Sequence, residues 1–381
     1  MNSRMKNIGL IIAVVLIAGV IGYLELKKPA RLNQNALDVT VSTSTNQSAG
    51  KERDPSVLAE KATKYSRAKE LTDTQGFINA EAFKLSDLVG KKVILLDFWT
   101  YSCINCQRTI PYLKQWHDKY KDKGLVIVGV HTPEFDFEKK YDNVARAVKD
   151  AGITYPVVLD SNYGTWNAYQ NQYWPREYLI DIDGYVVHDH IGEGGYDETE
   201  KLIQNALQER AQVLGEHISD DMPISVPHQD DIAAASPETY FGSGRNQYLG
   251  NGRQGTSGEQ NFSEPVNISS NTLYLGGLWN IHGEFAESTG QTSILYRYLA
   301  KRLYFVAGSA NKPIEVEVLI DNKPIDVSLK GSDIFYKDGK SFVKIQENRL
   351  YRIIEGTQKT EHTIKFIILE SGLQVFTFTF G

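Results

Sequence analysis

The chain has 381 residues, with 41 Lys and Arg against 47 Asp and Glu and a formal net charge of −6. That balance, without Lys/Arg blocks, gives nucleic acid no electrostatic footprint, and a hydrophobic share of 41% is that of an ordinary globular protein. The length predicts two domains plus extras, each domain able to bury its own core.

Residues Ile8 to Leu24 form an uncharged run of 17 preceded by Arg4 and Lys6. As a helix this run reaches roughly 25 Å, enough to span a thin bilayer, with Tyr23 suited to the interface. The competing reading is a cleaved signal peptide with Val20-Ile21-Gly22 at its cleavage site. The run exceeds a usual signal core and lacks a clean A-x-A, which favours a retained single-pass anchor (8–24). Lys27, Lys28 and Arg31 outnumber Arg4 and Lys6, so flanking charge does not decide orientation. A short cytoplasmic head (1–7) before a short apolar run has the form of an export signal. It places the bulk of the chain outside the cytoplasm, on the periplasmic or outer face of the cell membrane.

Residues 25–69 read as a flexible polar stalk, in which Val57 to Lys69 has helical composition. From 70 to 215 strands and helices alternate. Val93 to Phe98, apolar but for Asp97, and Leu125 to Val130 are apolar runs, the mark of strands buried on both faces. Between them lie the two cysteines of the chain, Cys103 and Cys106, where the first strand gives way to a helix that Pro111 should kink. Phe137, Tyr141, Val144, Val148 and Ala151 recur at helical spacing, and Tyr155 to Leu159 reads as a third strand. Glu177 to Ile182, Asp183-Gly184 and Tyr185 to Ile191 make a hairpin. Asp197 with Glu200 has the spacing of a capping box for a last helix ending at Gly215.

Residues 216–236 read as a linker, and from 237 to 381 helical pattern vanishes. Ile314, Val316, Val318 and Ile320 alternate with polar residues, as do Phe376, Phe378 and Phe380, and Asp321-Asn322, Asp338-Gly339 and Glu355-Gly356 punctuate the strands. An all-β sandwich of roughly 140 residues is expected.

A C-x-x-C at a helix start is redox chemistry. Unpaired N–H groups and the helix dipole stabilise a thiolate on Cys103, the predicted nucleophile, and Cys106 is placed to resolve the mixed disulfide. A purely structural disulfide would close a loop of about four residues, worth only about 2 kcal/mol. A zinc site lacks a second cysteine pair, the eight histidines being scattered. Two inert buried cysteines fit poorly beside the polar Ser102 and Asn105.

The strand-turn-C-x-x-C-helix, Trp174-Pro175 and the closing hairpin and helix together resemble the thioredoxin-like family. The stretch Gly129 to Asn171, inserting a helix and a strand, resembles its membrane-tethered TlpA-like branch. Phe98-Trp99-Thr100-Tyr101-Ser102-Cys103-Ile104-Asn105-Cys106-Gln107-Arg108-Thr109-Ile110-Pro111 and Gly192-Glu193-Gly194-Gly195-Tyr196 resemble the soluble region of DipZ proteins. That resemblance spans 70–381, since DipZ also ends in a carbohydrate-binding-module-like sandwich finishing Phe-Thr-Phe-Gly. DipZ begins with a multi-span electron-transfer region, where this chain has a single predicted anchor.

The resemblance implies an α/β thioredoxin-like domain followed by an all-β sandwich of jelly-roll or galactose-binding type, and a thiol:disulfide oxidoreductase needing no cofactor. It gives Asp97 the place of the buried carboxylate that accepts the resolving thiol's proton, a role that burial would support by raising its pKa; a salt-bridged strand-end Asp is the alternative. Pro175 takes the place of the cis-proline facing the active site, with Trp174 lining the same groove. Trp99 packs beside the disulfide, although an ordinary core Trp reads nearly as well. Ile104-Asn105 adds no positive charge, which favours a reductant. The implied partners are a protein disulfide or dithiol substrate and a membrane electron donor of the DsbD/CcdA type. A disulfide oxidase or isomerase, and a carbohydrate-binding surface protein with a vestigial redox domain, are the rival readings.

Asp181-Ile182-Asp183-Gly184 has the start of a calcium loop but no Glu at its twelfth position, and a hairpin turn accounts for it. His188 and His190 share a strand face and could ligate a metal, though surface polarity accounts for them. Thr100, three before Cys103, has peroxiredoxin spacing, but Leu96 stands where those enzymes need proline. Trp279 with His282 and Glu284 could form a sugar platform, against the plainer reading of a core Trp.

Overall fold

The computed structural model describes residues 53–219, 222–224, 226 and 236–381. The expected head and anchor, 1–24, and residues 25–52 of the expected stalk lie outside them. Among the described residues no helix is long and apolar enough to cross a membrane.

Residues 53–69 depart from the stalk reading. Helix α1 (Pro55–Lys64) starts with Pro55 behind the Asp54 cap, whose carboxylate accepts from Ser56 N at 2.8 Å. Lys61 Nζ lies 2.5, 2.7 and 2.6 Å from carboxylate oxygens of Asp181, Asp183 and Glu209, and Arg53 also pairs with Asp183 and Glu209. Ala68 N donates to Gly184 O and Val186 N to Ser66 O, each at 2.9 Å. Composition shows the polar face of this segment but not the three acids, far along the chain, that it meets.

The α/β domain is built on a six-stranded sheet of order β1-β4-β3-β2-β5-β6. These strands are β1 (Phe77–Ile78), β2 (Val93–Trp99), β3 (Leu125–His131), β4 (Val157–Leu159), β5 (Arg176–Ile180) and β6 (Val186–Ile191). β2, β3 and β4 pair in parallel, while β1, β5 and β6 are antiparallel to their neighbours. All seven residues of β2 are buried because both faces are covered. Val93, Leu95 and Trp99 pack with α2 (Ile104–Tyr120), α3 (Tyr141–Asp150) and α5 (Tyr196–Leu214). Ile94, Leu96 and Phe98 pack with Trp166 of α4 (Gly164–Ala168) and with Leu71, Phe77 and Phe83.

Helix α2 continues unbroken through Pro111. The helical spacing that begins at Phe137 divides into a 3₁₀ turn, Asp136–Lys139, and α3. The hairpin turns at Gly184 (φ 82°), and α5 stops at Gly215 in the left-handed conformation (φ 68°). The expected Asp197/Glu200 capping box does not form. Gly195 occupies the cap without a side-chain bond, and Glu200 instead accepts from Tyr120 Oη at 2.6 Å and Ile224 N at 2.9 Å.

After β7 (Thr239–Tyr240) the chain forms β8 (Gly258–Phe262), β9 (Leu273–Ile281), β10 (Ala286–Ser288), β11 (Thr292–Ser309), β12 (Ile314–Ile320), β13 (Lys323–Pro324), β14 (Ile334–Lys337), β15 (Lys340–Ile345), β16 (Arg349–Ile368) and β17 (Leu373–Phe380). Among the described residues these make one eleven-stranded sheet with antiparallel ladders. The 18-residue β11 pairs with β16 on one side; on the other its first half pairs with β9 and its second with β17. Because β10 joins β9 to β17, the sheet closes around a core that includes Trp279, Tyr296, Phe305, Phe366 and Phe378.

β17 does not keep the alternation its sequence suggests. Val306 pairs with Thr377 but Ala307 with Val375, so Phe376 is the extra residue of a β-bulge. Val375 and Phe378 therefore belong to the β core, while Phe376 joins the core cluster of the α/β domain. Its ring centroid lies 5.1 Å from that of Phe135 and 4.8 Å from that of Phe137. Tyr304, Val306 and Leu350 extend the same cluster, and Arg352 Nη2 donates to Gln107 Oε1 of α2 at 3.1 Å. The two domains thus share apolar core. Phe376→Ala is expected to cost about 3–5 kcal/mol and to lower one common unfolding transition in scanning calorimetry. Two separate transitions in the wild type would refute the shared core.

Candidate active site

The turn between β2 and α2 presents the cysteines unequally. Cys103 is the N-cap of α2, and its Sγ accepts from Cys106 N at 3.4 Å, the place a capping oxygen would hold. An N–H aimed at the sulfur and the positive end of the helix dipole both favour an anion there. Cys103 is partly exposed, whereas Cys106 is 1% exposed. Burial, and then the neighbouring Cys103 and Asp97, push the Cys106 thiol well above its usual pKa. One sulfur is open to a partner; the other keeps its proton until something takes it.

Asp97 lies in β2 on the face that α2 covers. It is 1% exposed, and burial pushes its carboxyl up to about 7. Asp97 forms no ion pair among the described residues, and its Oδ1 has no hydrogen-bond partner there. The salt-bridged alternative does not hold. Gly129 pairs with Asp97 from β3, where a Cβ would meet Trp99 Nε1 at 2.9 Å and the Tyr155 ring at 3.3 Å. On the other side Asp97 pairs with Glu177 of β5, which is 3% exposed and raised in pKa by burial and then by Asp97. Tyr155 is buried, and its hydroxyl has no partner among the described residues; burial raises its pKa, followed by Asp97, Glu177 and Cys106.

Behind the turn, Glu138 is fully buried and accepts from Ser102 Oγ at 2.6 Å, Ser102 N at 3.2 Å, Glu134 N at 2.6 Å and Phe135 N at 3.0 Å. Burial pushes its carboxyl to about 7 against the opposing pull of Ser102 and Thr100. His131 is held neutral, its pKa driven down to about 3 by burial, and stacks on Tyr101 with ring centroids 5.6 Å apart. Thr100 is buried, with its hydroxyl 3.5 Å from His131 Nε2, so it is directed into the core behind the turn.

Trp99 is in the core, edge-on to His131 at 5.2 Å. The Trp174–Pro175 peptide is cis. Since Arg176 pairs with Phe98, Pro175 and Trp174 continue beside Trp99 and the cysteine turn. Trp174 is partly buried, donates from Nε1 to Thr132 O at 3.0 Å and packs on Trp166 at 4.2 Å. A cavity of about 600 Å³ between the domains reaches Trp99, Tyr101, Gln107, Asn348 and Arg352, but neither cysteine lines it.

The other candidates separate from this site. Trp279 is 0% exposed, with Nε1 donating to Gly276 O at 3.0 Å, so it offers no ring face to a sugar. His282 stacks on Phe285 at 4.4 Å, and Glu284 accepts from Asp136 N at 2.9 Å across the domain boundary. Asp181, Asp183 and Glu209 converge within 4.8 Å, but Lys61 sits among their carboxylates. The structure brings Cys103, Cys106 and Asp97 together and adds Glu177, Tyr155, Glu138 and His131, which sequence reasoning passed over. An acid directly ahead of the apolar Tyr178-Leu179-Ile180 was a legible signal for Glu177.

With that geometry, the comparisons with known proteins concern both domains. The AhpC/TSA family matches residues 65–189, and a thioredoxin like C-terminal domain matches residues 236–381. Protein DipZ of Mycobacterium bovis is 37% identical over 317 residues, which are 82% of this chain and 43% of DipZ. The chain therefore spans less than half the length of that relative. Thiol-disulfide oxidoreductase YkuV of Bacillus subtilis is 31% identical over 140 residues, covering 37% of this chain and 93% of YkuV. Thiol-disulfide oxidoreductase ResA of Bacillus thuringiensis is 33% identical over 134 residues, covering 35% of this chain and 72% of ResA.

Proposed function

The chain belongs to the thioredoxin-like thiol-disulfide oxidoreductases, and from that premise we propose that it works as a membrane-anchored, extracytoplasmic disulfide reductase. The observation that carries the reading is the unequal placing of the sulfurs: Cys103 partly exposed at a helix N-terminus, Cys106 buried over a carboxyl near 7. The Cys103 thiolate attacks a substrate disulfide and expels one substrate thiolate, leaving a mixed disulfide. Asp97 takes the Cys106 proton, and the Cys106 thiolate attacks the Cys103 sulfur. The second substrate thiolate leaves, and the pair is oxidised by two electrons.

What surrounds the sulfurs supports the reducing direction. A strong oxidant stabilises its reduced form by lowering the nucleophile's pKa. Ile104-Asn105 offers no cation for that purpose, and Arg108, one turn on, pairs with Glu193 at 2.9 Å. Trp174 and Pro175 form the wall against which an extended protein substrate lies. A donor of the DsbD/CcdA type returns the electrons through the membrane, a role for which the DipZ relative is the guide. The uncharged run Ile8 to Leu24 supports the anchor. A carbohydrate-binding role for the β domain loses its aromatic platform with the burial of Trp279.

The test is to quench growing cells with acid, alkylate the thiols with a maleimide carrying a mass tag, and separate carbonate-washed membranes. The expected result is a mostly dithiol protein in the membrane fraction, digested by protease added outside the cytoplasmic membrane. A mostly oxidised Cys103–Cys106 pair would overturn the reducing direction, and protection from the protease would overturn the location.

A further inference from the structure

Four adjacent strands of the α/β sheet place Gly129, Asp97, Glu177 and His190 in one row: Gly129 of β3 pairs with Asp97 of β2, Asp97 with Glu177 of β5, and Glu177 with His190 of β6. Directly paired residues project to the same face, with Cβ atoms about 5 Å apart across an antiparallel ladder. The row therefore starts beneath Cys106 and ends on β6, the outermost strand of the sheet. Three polar atoms along it, Asp97 Oδ1, Tyr155 Oη and His190 Nε2, are buried without a partner among the described residues. Such atoms are where ordered water is held, and water between acids carries protons.

We propose that Glu177 and His190 extend Asp97 into a proton relay, through which the proton released by Cys106 during resolution of the mixed disulfide leaves at the sheet edge. The inference rests on the role of Cys106 as resolving thiol. The steps balance without a change in electron count. The S–H bond of Cys106 breaks as an O–H forms on Asp97; that proton passes to Glu177, then to His190, and then to water. Glu177 is a positioning residue here, acting on the sulfur only through Asp97. The titratable groups around the pair are Cys106 of α2, Tyr155 ahead of β4, His190 of β6 and Tyr196 of α5, with His188 beside His190. No cation pairs with Asp97 or Glu177 among the described residues. Two facing carboxyls so deeply buried do not readily ionise together, so the pair tends to hold one proton and titrates as a unit.

The experiment treats the reduced full-length protein with an aromatic disulfide, 5,5′-dithiobis(2-nitrobenzoate), and follows the two coloured thiolates. The first is released when Cys103 attacks and the second when Cys106 resolves the adduct. In Glu177→Gln the first burst is expected to match the wild type, while the second slows about tenfold or more at neutral pH and its pH profile falls from two inflections to one. His190→Gln slows the second burst alone. Glu177→Asp, which keeps a carboxyl, is expected to recover most of the rate, whereas a purely structural role would survive in the isosteric Gln. A second burst in Glu177→Gln with wild-type rate and pH profile would overturn the relay. Absence of a second burst from the wild type would overturn the resolver assignment and the relay with it.

Discussion

Cys106→Ser is expected to stop turnover after the first chemical step: insulin-disulfide reduction falls by about a thousandfold or more, and a covalent adduct of Cys103 with substrate accumulates on non-reducing gels. Cys103→Ser is expected to lose the activity as completely but to form no adduct. The difference follows from exposure. Cys103 is partly exposed at the helix N-terminus, so it reacts with a partner even when Cys106 cannot finish the exchange, whereas Cys106 is buried and reaches only the Cys103 sulfur. A Cys106→Ser protein that reduces insulin at more than about a tenth of the wild-type rate would remove Cys106 from the mechanism.

Asp97→Asn is expected to make the protein more stable and less active in alkaline solution. An ordinary Asp has its pKa at 3.8, and burial raises that of Asp97 to about 7. The folded state therefore binds this proton more tightly than the unfolded chain. Stability from this group is greatest below the unfolded value, declines as pH rises between the two values, and is fully lost above about 7. The difference corresponds to about 4 kcal/mol. Asn carries no charge, so urea unfolding at pH 8 should show the variant more stable by a few kcal/mol, about 2–4, with the advantage gone near pH 4. Glu177, raised by burial and by Asp97, shifts stability in the same direction and should still do so in the variant. Resolution of the mixed disulfide is expected to slow about a hundredfold. Identical pH dependence of unfolding in wild type and variant would mean that Asp97 does not bind its proton more tightly in the folded state.

What could be read from the sequence was local. Val93 to Phe98 announces a strand covered on both faces because every residue in it is apolar, save an Asp that needs a reason to be there. The C-x-x-C at the strand–helix junction, the turn at Gly184 and the stop at Gly215 depend on neighbours a few residues away. What escaped depends on partners far along the chain. Glu177 gains its meaning from the strand register that sets it opposite Asp97, and Tyr155 from closing over the same place. Residues 53–69 look like a tether until Lys61 is seen among Asp181, Asp183 and Glu209. Trp279 carries the composition of a ligand platform, and only the closing of the β sheet shows that its ring is enclosed.

The bulge at Phe376 makes the association of the two domains a matter of parity. Without the extra residue's bulge, strict alternation would put Phe376 on the face of Phe378 and withdraw it from Phe135 and Phe137. The β domain could keep its fold, yet it would no longer carry the address of its neighbour, and the α/β domain would present an uncovered aromatic patch to solvent. Two chains almost identical in composition could then differ in whether they form a joined pair or two modules on a string.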